Sequence, residues 1–267
     1  MKILIIGCSH SNYSYKLRDP KDPSKGDRPN FEDGKTWAHF VKMFEQHEVT
    51  ILSCGGWGYW GFSQILSLID INSSPAYLIQ ELNFYDMLIV QETNPRFELI
   101  SDKAITKFET KNQGIGFDSD RIIVHDNYVL KDKSNALIYN GHHDRGRSWA
   151  RLHNIIYDDS VKNWHKLLLS ECVVIGKFDY LCGVHIENLC KKYKIPMFVF
   201  SMYDPLLECS YSTRLDNVNN LYDKIEKLNL LSCNDKKFTS KYGYHASYDG
   251  MKFIGNIINE SLKNVVN

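Results

Sequence analysis

The feature that most constrains this chain is a run with no polar relief: MLIV, residues 87–90, within DMLIVQET (86–93). A strand with one wet face alternates apolar and polar side chains, whereas one that is apolar at every position must be covered on both faces. Other runs share this character. KILIIG (2–7) ends in a glycine followed by Cys8, Ser9, His10 and Ser11, and VTILSCGG (49–56) ends in two glycines. PMFVFSM (196–202) reads as a fourth strand and LLSC (230–233) as a fifth. Between them lie helical patterns. In TWAHFVKMFEQH (36–47), Trp37, Phe40, Val41 and Phe44 recur at helical spacing. FSQILSLID (62–70), PAYLIQELN (75–83), a stretch over about 159–193 and LYDKIEKLN (221–229) follow. DGMKFIGNIINESLKNV (249–265) is a final amphipathic helix with Asp249 as its expected N-cap. This alternation predicts a three-layer α/β/α sandwich around a mostly parallel five-stranded sheet, one domain over residues 1–267. Residues 96–158 break the rhythm: they are polar, with the strand-like pieces RIIVH and ALIYN and the turn-rich GHHDRGR, and read as an insertion carrying a hairpin.

Charge and composition narrow the function. The 32 Lys and Arg balance 32 Asp and Glu, so no broad basic surface is expected to hold nucleic acid. No apolar run approaches the roughly 18 residues of a membrane span. The first apolar run is too short for a signal peptide, so a cytoplasmic location and no membrane partner are expected. The cysteines at 8, 54, 172, 182, 190, 209 and 233 are odd in number and form no CxxC pair, which speaks against a disulfide framework or a zinc knuckle. His142, His143, Asp144, Arg145 and His153 match no standard metal spacing and read as a solvated loop, so no metal is expected. Neither GxGxxG nor GxxxxGK[ST] occurs, and no cofactor is expected.

In a doubly wound sheet, chemistry gathers where strands end. The strand ends here are GCSHS, SCGGWGYWG and QETNPRFE, with YGYHASYDG before the last helix. Together, in order and context, they resemble the four blocks of the SGNH (GDSL-like) hydrolase superfamily, a flavodoxin-like fold. Gly7-Cys8-Ser9 matches the first block and makes Ser9 the nucleophile by analogy. Ser53-Cys54-Gly55-Gly56-Trp57-Gly58 matches the second, with Ser53 where the family has Asn, and puts Gly58 at the oxyanion-hole glycine. Glu92-Thr93-Asn94-Pro95 keeps the Asn of the third block, while Glu92 and Pro95 replace its Gly and Asp. His245 matches the histidine of the last block, but Tyr242 stands where the Asp belongs. The TNPRFE variant is similar to divergent phage or bacterial members.

The resemblance implies a serine esterase acting on a small ester, such as an O-acyl group of a carbohydrate. His245 would take the proton of the Ser9 hydroxyl, and the backbone N–H groups of Ser9 and Gly58 with the Asn94 amide would hold the oxyanion. Position 58 favours glycine because a Cβ would crowd substrate. Trp57 and Tyr59 read equally as core or as a pocket wall suited to sugar rings. Arg96 either pairs with Glu98 or meets an anionic substrate, and Glu92 either replaces the missing acid or repels anions. Asp204, Asp235 or a backbone carbonyl could also orient His245. His10, adjacent to Ser9, is not the expected base. Each residue also has a bland reading: Ser9 a cap, Asn94 a turn former, His245 a loop histidine. Two alternatives keep the same fold: an acyltransferase using the same residues, and a non-catalytic binding or structural module. Oligomeric state is not encoded in any of these features.

Overall fold

The computed structural model describes residues 1–11, 35–53, 58–70, 82–93, 108–112, 122–130, 137–140, 149–152, 172–231 and 245–266. Its strands are β1 (Lys2–Gly7), β2 (Glu48–Ser53), β3 (Met87–Glu92), β4 (Phe108–Asn112), β5 (Ile122–Leu130), β6 (Leu137–Asn140), β7 (Trp149–Leu152), β8 (Met197–Ser201) and β9 (Thr213–Arg214). Its α-helices are α1 (Tyr59–Asp70), α2 (Cys172–Tyr193), α3 (Leu221–Lys227) and α4 (Tyr248–Val266). The main sheet runs in the order β4-β5-β2-β1-β3-β8-β9, and β6 pairs with β7 as a separate antiparallel hairpin. Its inner five strands, β5-β2-β1-β3-β8, are all parallel. The short β9 is also parallel to β8, and β4 closes the opposite edge antiparallel to β5.

The period-2 alternation of side chains sorts the central strands into two cores. Leu4, Ile6, Leu52, Leu88, Val90 and Val199 pack on one face with Tyr59, Phe62 and Leu66 of α1 and Ile186 and Cys190 of α2. Ile3, Ile5, Ile51, Ile89, Phe198 and Phe200 pack on the other with Trp37, Phe44, Tyr222 and the α4 residues Met251, Ile254, Ile258 and Leu262. The chain is therefore an α/β fold with helices on both faces of a parallel sheet. Burying each such aliphatic side chain contributes about 1.5–3 kcal/mol.

Three expectations need correction. The fifth parallel strand is β5, drawn from the segment read as an insertion; its inner edge pairs with β2 in register Ile51↔Val124. Leu231 instead makes an isolated antiparallel bridge to Ala246. A polar segment can supply such a strand because β5 is next to the edge, and RIIVH resembles a hairpin strand equally well by pattern. Second, residues 36–47 form two 3-10 helices, Trp37–Phe40 and Lys42–Gln46, with Val41 extended between them. They still bury Trp37, Val41 and Phe44. Tertiary packing overrides helical periodicity here: a Cβ on Gly255 of α4 would lie 2.3 Å from the Trp37 carbonyl oxygen, so the two elements meet backbone to backbone. Third, Ser247 caps α4 in place of Asp249: its Oγ accepts from the Gly250 N–H at 3.2 Å.

Candidate active site

β1 is flanked by β2 on one side and β3 on the other, so the chain reverses its direction of travel across the sheet between β1 and β3. The crevice outside the carboxyl ends of those two strands is where open α/β sheets bind ligands. There β1 passes through Gly7 and Cys8 into a 3-10 turn, Ser9–Ser11.

The turn is pinned from below by buried hydrogen bonds. The Ser11 hydroxyl donates to Gln91 Oε1 at 2.5 Å and accepts from Trp37 Nε1 at 3.1 Å. Gln91 Nε2 donates to Cys8 Sγ at 3.3 Å, and the His10 N–H reaches the same sulfur at 3.5 Å. The Cys8 carbonyl accepts from the Ser11 N–H at 2.9 Å and from the Ser53 hydroxyl at 3.3 Å, which ties the end of β1 to the end of β2. Gly7 is required for this closure, since a Cβ there would sit 2.2 Å from Ser11 Oγ and 2.6 Å from Gln91 Oε1. Its role is close approach, not only freedom to turn. The network holds the backbone that carries Ser9 in one geometry.

His245 reaches this turn from the other end of the chain. It precedes Ala246, which bridges Leu231, and Ser247, whose N–H and hydroxyl both donate to the Leu230 carbonyl at 2.9 and 2.8 Å. Gly250 lets this corner close, because a Cβ there would stand 2.5 Å from that same carbonyl oxygen. Anchored in this way, the half-buried His245 ring lies with its centroid 5.0 Å from that of His10, tilted by 39°. His10 is buried and shares a hydrogen bond between Nε2 and the Tyr203 hydroxyl at 3.2 Å. Its ring meets Tyr203 and Tyr222 edge-on at 6.0 and 5.8 Å, and those two rings stack on each other at 5.3 Å.

The other candidates are distributed differently. Gly58 is buried, and its carbonyl accepts from the Phe62 N–H at 3.2 Å, opening α1 just past the second glycine-rich strand end. Tyr59 is a core residue of the face formed by α1 and α2, and its hydroxyl donates to Glu92 Oε1 at 3.1 Å. Burial first, and the neighbouring Glu92 carboxylate second, push its phenol well above the ordinary tyrosine range. Glu92 is buried too: Oε1 also accepts from the Leu207 N–H at 2.6 Å, and Oε2 pairs with Arg214 at 2.9 Å. Strand alternation explains the split. Gln91 points toward Ser11 and Trp37, and Glu92 points to the opposite face, toward Tyr59 and Leu207, away from the histidine pair. Asp204 follows Tyr203 and accepts from Asn220 Nδ2 at 3.0 Å. Trp57, Asn94, Arg96, Asp235 and Tyr242 lie outside the described residues.

The chain matches no protein-family model, no curated protein and no solved structure. Among the described residues, no group of three or more His, Cys, Asp or Glu side chains could hold a metal ion. No helix among them is long and apolar enough to cross a membrane.

Sequence reasoning passed over Tyr203, Tyr222, Gln91 and Ser11. Tyr203 had a readable signal, a polar aromatic two residues beyond a buried strand at the sheet's carboxyl end. Tyr222 had none, because its place depends on how α3 packs. Adjacency makes His10 a poor base for Ser9, because neighbours in sequence rarely face each other, but it does not bear on His245, which arrives from the loop before α4.

Proposed function

We propose that the chain is a serine hydrolase of SGNH type that cleaves a small ester, with an O-acyl group on a carbohydrate as its substrate class. The observation that carries this reading is the approach of His245, from the loop before α4, to the residue directly after Ser9 at the switch point of the sheet. A nucleophile and a base from opposite ends of the chain need such a junction.

In this reading the Ser9 hydroxyl attacks the ester carbonyl while its proton passes to His245. The oxyanion is held by the backbone N–H groups of Ser9 and Gly58 and by the Asn94 amide. As the tetrahedral intermediate collapses, the His245 imidazolium protonates the departing alcohol. A water then attacks the acyl-enzyme with the same histidine as base, and the proton returns to Ser9. A sugar hydroxyl in place of that water would make the same centre an acyltransferase. Glu92 supports the scaffold in this scheme, since Arg214, Tyr59 and Leu207 already engage its oxygens.

The test is active-site labelling. A fluorophosphonate probe is expected to label the wild-type chain at Ser9, and Ser9→Ala to abolish labelling. Hydrolysis of a short-chain aryl ester is expected to fall by about 10⁴-fold or more in Ser9→Ala and in His245→Ala. Unchanged turnover in Ser9→Ala would refute the proposal. Loss of hydrolysis on adding a carbohydrate acceptor, with transfer of the acyl group to it, would favour the acyltransferase form.

A further inference from the structure

We propose that His10 is the positioning residue of this centre and holds the His245 ring in its working orientation, the task that an aspartate three residues before His245 would otherwise perform. The inference rests on the reading of Ser9 and His245 as nucleophile and base. Position 242 is a tyrosine, so no carboxylate is available there. An imidazole that serves as base still needs its plane held toward the hydroxyl.

His10 meets the geometric requirements of such a clamp. With centroids 5.0 Å apart and planes tilted by 39°, the rings are too close for a water layer between them, so rotation of His245 is limited by contact with His10. The clamp is itself held on several sides. The ring is buried and hydrogen-bonded to the Tyr203 hydroxyl at 3.2 Å, and its side rests on Tyr222. The two tyrosines are stacked and fixed by backbone bonds, from the Tyr222 N–H to the Met202 carbonyl at 2.8 Å and from the Asn220 N–H to the Tyr203 carbonyl at 3.3 Å. At its base, the His10 N–H reaches Cys8 Sγ at 3.5 Å.

Two consequences follow. His10 is covalently next to Ser9 in the same 3-10 turn, so one short element sets the position of the nucleophile and of the residue that steadies the base. The clamp also works through ring contact: the His10 ring covers one side of the His245 ring, and Tyr203 and Tyr222 back His10 from behind.

Histidine side-chain ¹⁵N spectra of the full chain test this without relying on turnover. In the wild type, the His245 ring nitrogens are expected to give one narrow pair of resonances from a single ring orientation. In His10→Asn these are expected to broaden and shift as the ring samples several orientations, and Tyr203→Phe, which keeps the ring stack and removes only the hydroxyl, is expected to move them the same way by less. With a short-chain aryl ester, kcat is expected to fall about 10–100-fold in His10→Asn with KM within about twofold of wild type. If His10→Asn fails to fold, Tyr203→Phe carries the test. Wild-type His245 resonances in the folded variants would overturn the inference. Its failure differs from failure of the hydrolase reading: the former leaves Ser9→Ala inactive, whereas the latter leaves Ser9→Ala active, and the spectra still decide whether His10 controls His245.

Discussion

Two polar clusters lie buried at the same end of the sheet, on opposite faces, and they are built on different principles. On the face of α1 and α2, Glu92 meets Arg214, Tyr59 and the Leu207 N–H. Close by, Glu187 of α2 accepts from the backbone N–H groups and side chains of the 210–212 loop, including both serine hydroxyls at 2.6 and 2.5 Å. On the face of α4, His10, His245, Tyr203 and Tyr222 meet with no carboxylate or guanidinium among them. The first cluster consists of full charges with dedicated partners, which is how a fold holds a loop in place. The second consists of aromatic rings in contact, joined by the hydrogen bond between His10 and Tyr203, and it fixes ring orientation by packing.

The sharpest way to break this comparison is to remove a charge from the first cluster. Glu92→Gln leaves the half-buried Arg214 without its carboxylate and is expected to destabilise the chain by about 3–5 kcal/mol in chemical denaturation. Replacing both partners by apolar residues, Glu92→Leu with Arg214→Met, is expected to recover most of that loss, because an apolar pair leaves no charge stranded. A Glu92→Gln variant as stable as wild type would mean that the cluster does not hold the 203–214 segment as described.

Gly7 lies under the turn that leads to the second cluster, against Ser11 and Gln91, and the next prediction concerns it. Gly7→Ala drives a Cβ into Ser11, whose Oγ and Cβ lie only 2.2 and 2.5 Å from the position it would take. The expected cost is about 1–3 kcal/mol, with displacement of the turn that carries Ser9 and His10. Adding Ser11→Ala is not expected to rescue it, since the Ser11 Cβ remains in the way, whereas adding Ser11→Gly removes both Ser11 clashes and leaves only the end of the Gln91 side chain, 2.6 Å away, to shift. Thermal midpoints of the three variants check the order, and equal midpoints for the two double variants would refute the steric account.

Much of this architecture was legible in the sequence, for reasons that also mark where legibility stops. β1, β2, β3 and β8 could be read because a strand covered on both faces has to be apolar at nearly every position. Ser9, Gly58 and His245 could be read as candidates because they stand where strands end or just before the last helix. β5 could not be assigned to the main sheet, because an edge-proximal strand carries polar residues and looks like any hairpin strand. The single helix expected over 36–47 failed because its spacing also suits two 3-10 turns, and the choice was made by Gly255 on a helix more than 200 residues away. The surroundings of His10 and Glu92 were hidden by one fact that a linear reading does not contain, namely which face of the sheet each side chain joins.

The smallest effect separates the two faces by pH. His39 belongs to the α4 side, where its Nδ1 meets the Thr36 N–H at 3.2 Å in a capping box and the Thr36 carbonyl at 3.3 Å; burial, with a smaller contribution from Lys35, lowers its pKa from 6.5 to about 4 against the opposing bond to that carbonyl. A histidine held neutral in the fold takes up its proton more readily once unfolded, so its stabilisation is complete above pH 6.5 and is lost as pH falls toward about 4. Glu187 belongs to the other side. Burial raises its carboxyl, but the hydrogen bonds from Ser210, Ser212 and Tyr211 outweigh it and hold the pKa below the usual 4.5, so its stabilisation is intact above that value and is lost only as pH falls below it. The two faces should therefore weaken in separate windows. Between pH 6.5 and about 4 the α4 side loosens first, by about 1–2 kcal/mol once the solvent kept by the His39 ring is allowed for. Hydrogen exchange followed across this range should lose protection around Trp37–Phe40 before it does so in the 210–212 loop. His39→Gln should flatten the upper window and leave the lower one in place. Simultaneous loss on both faces would show that they are coupled, and an upper window that survives His39→Gln would show that a group other than His39 titrates there.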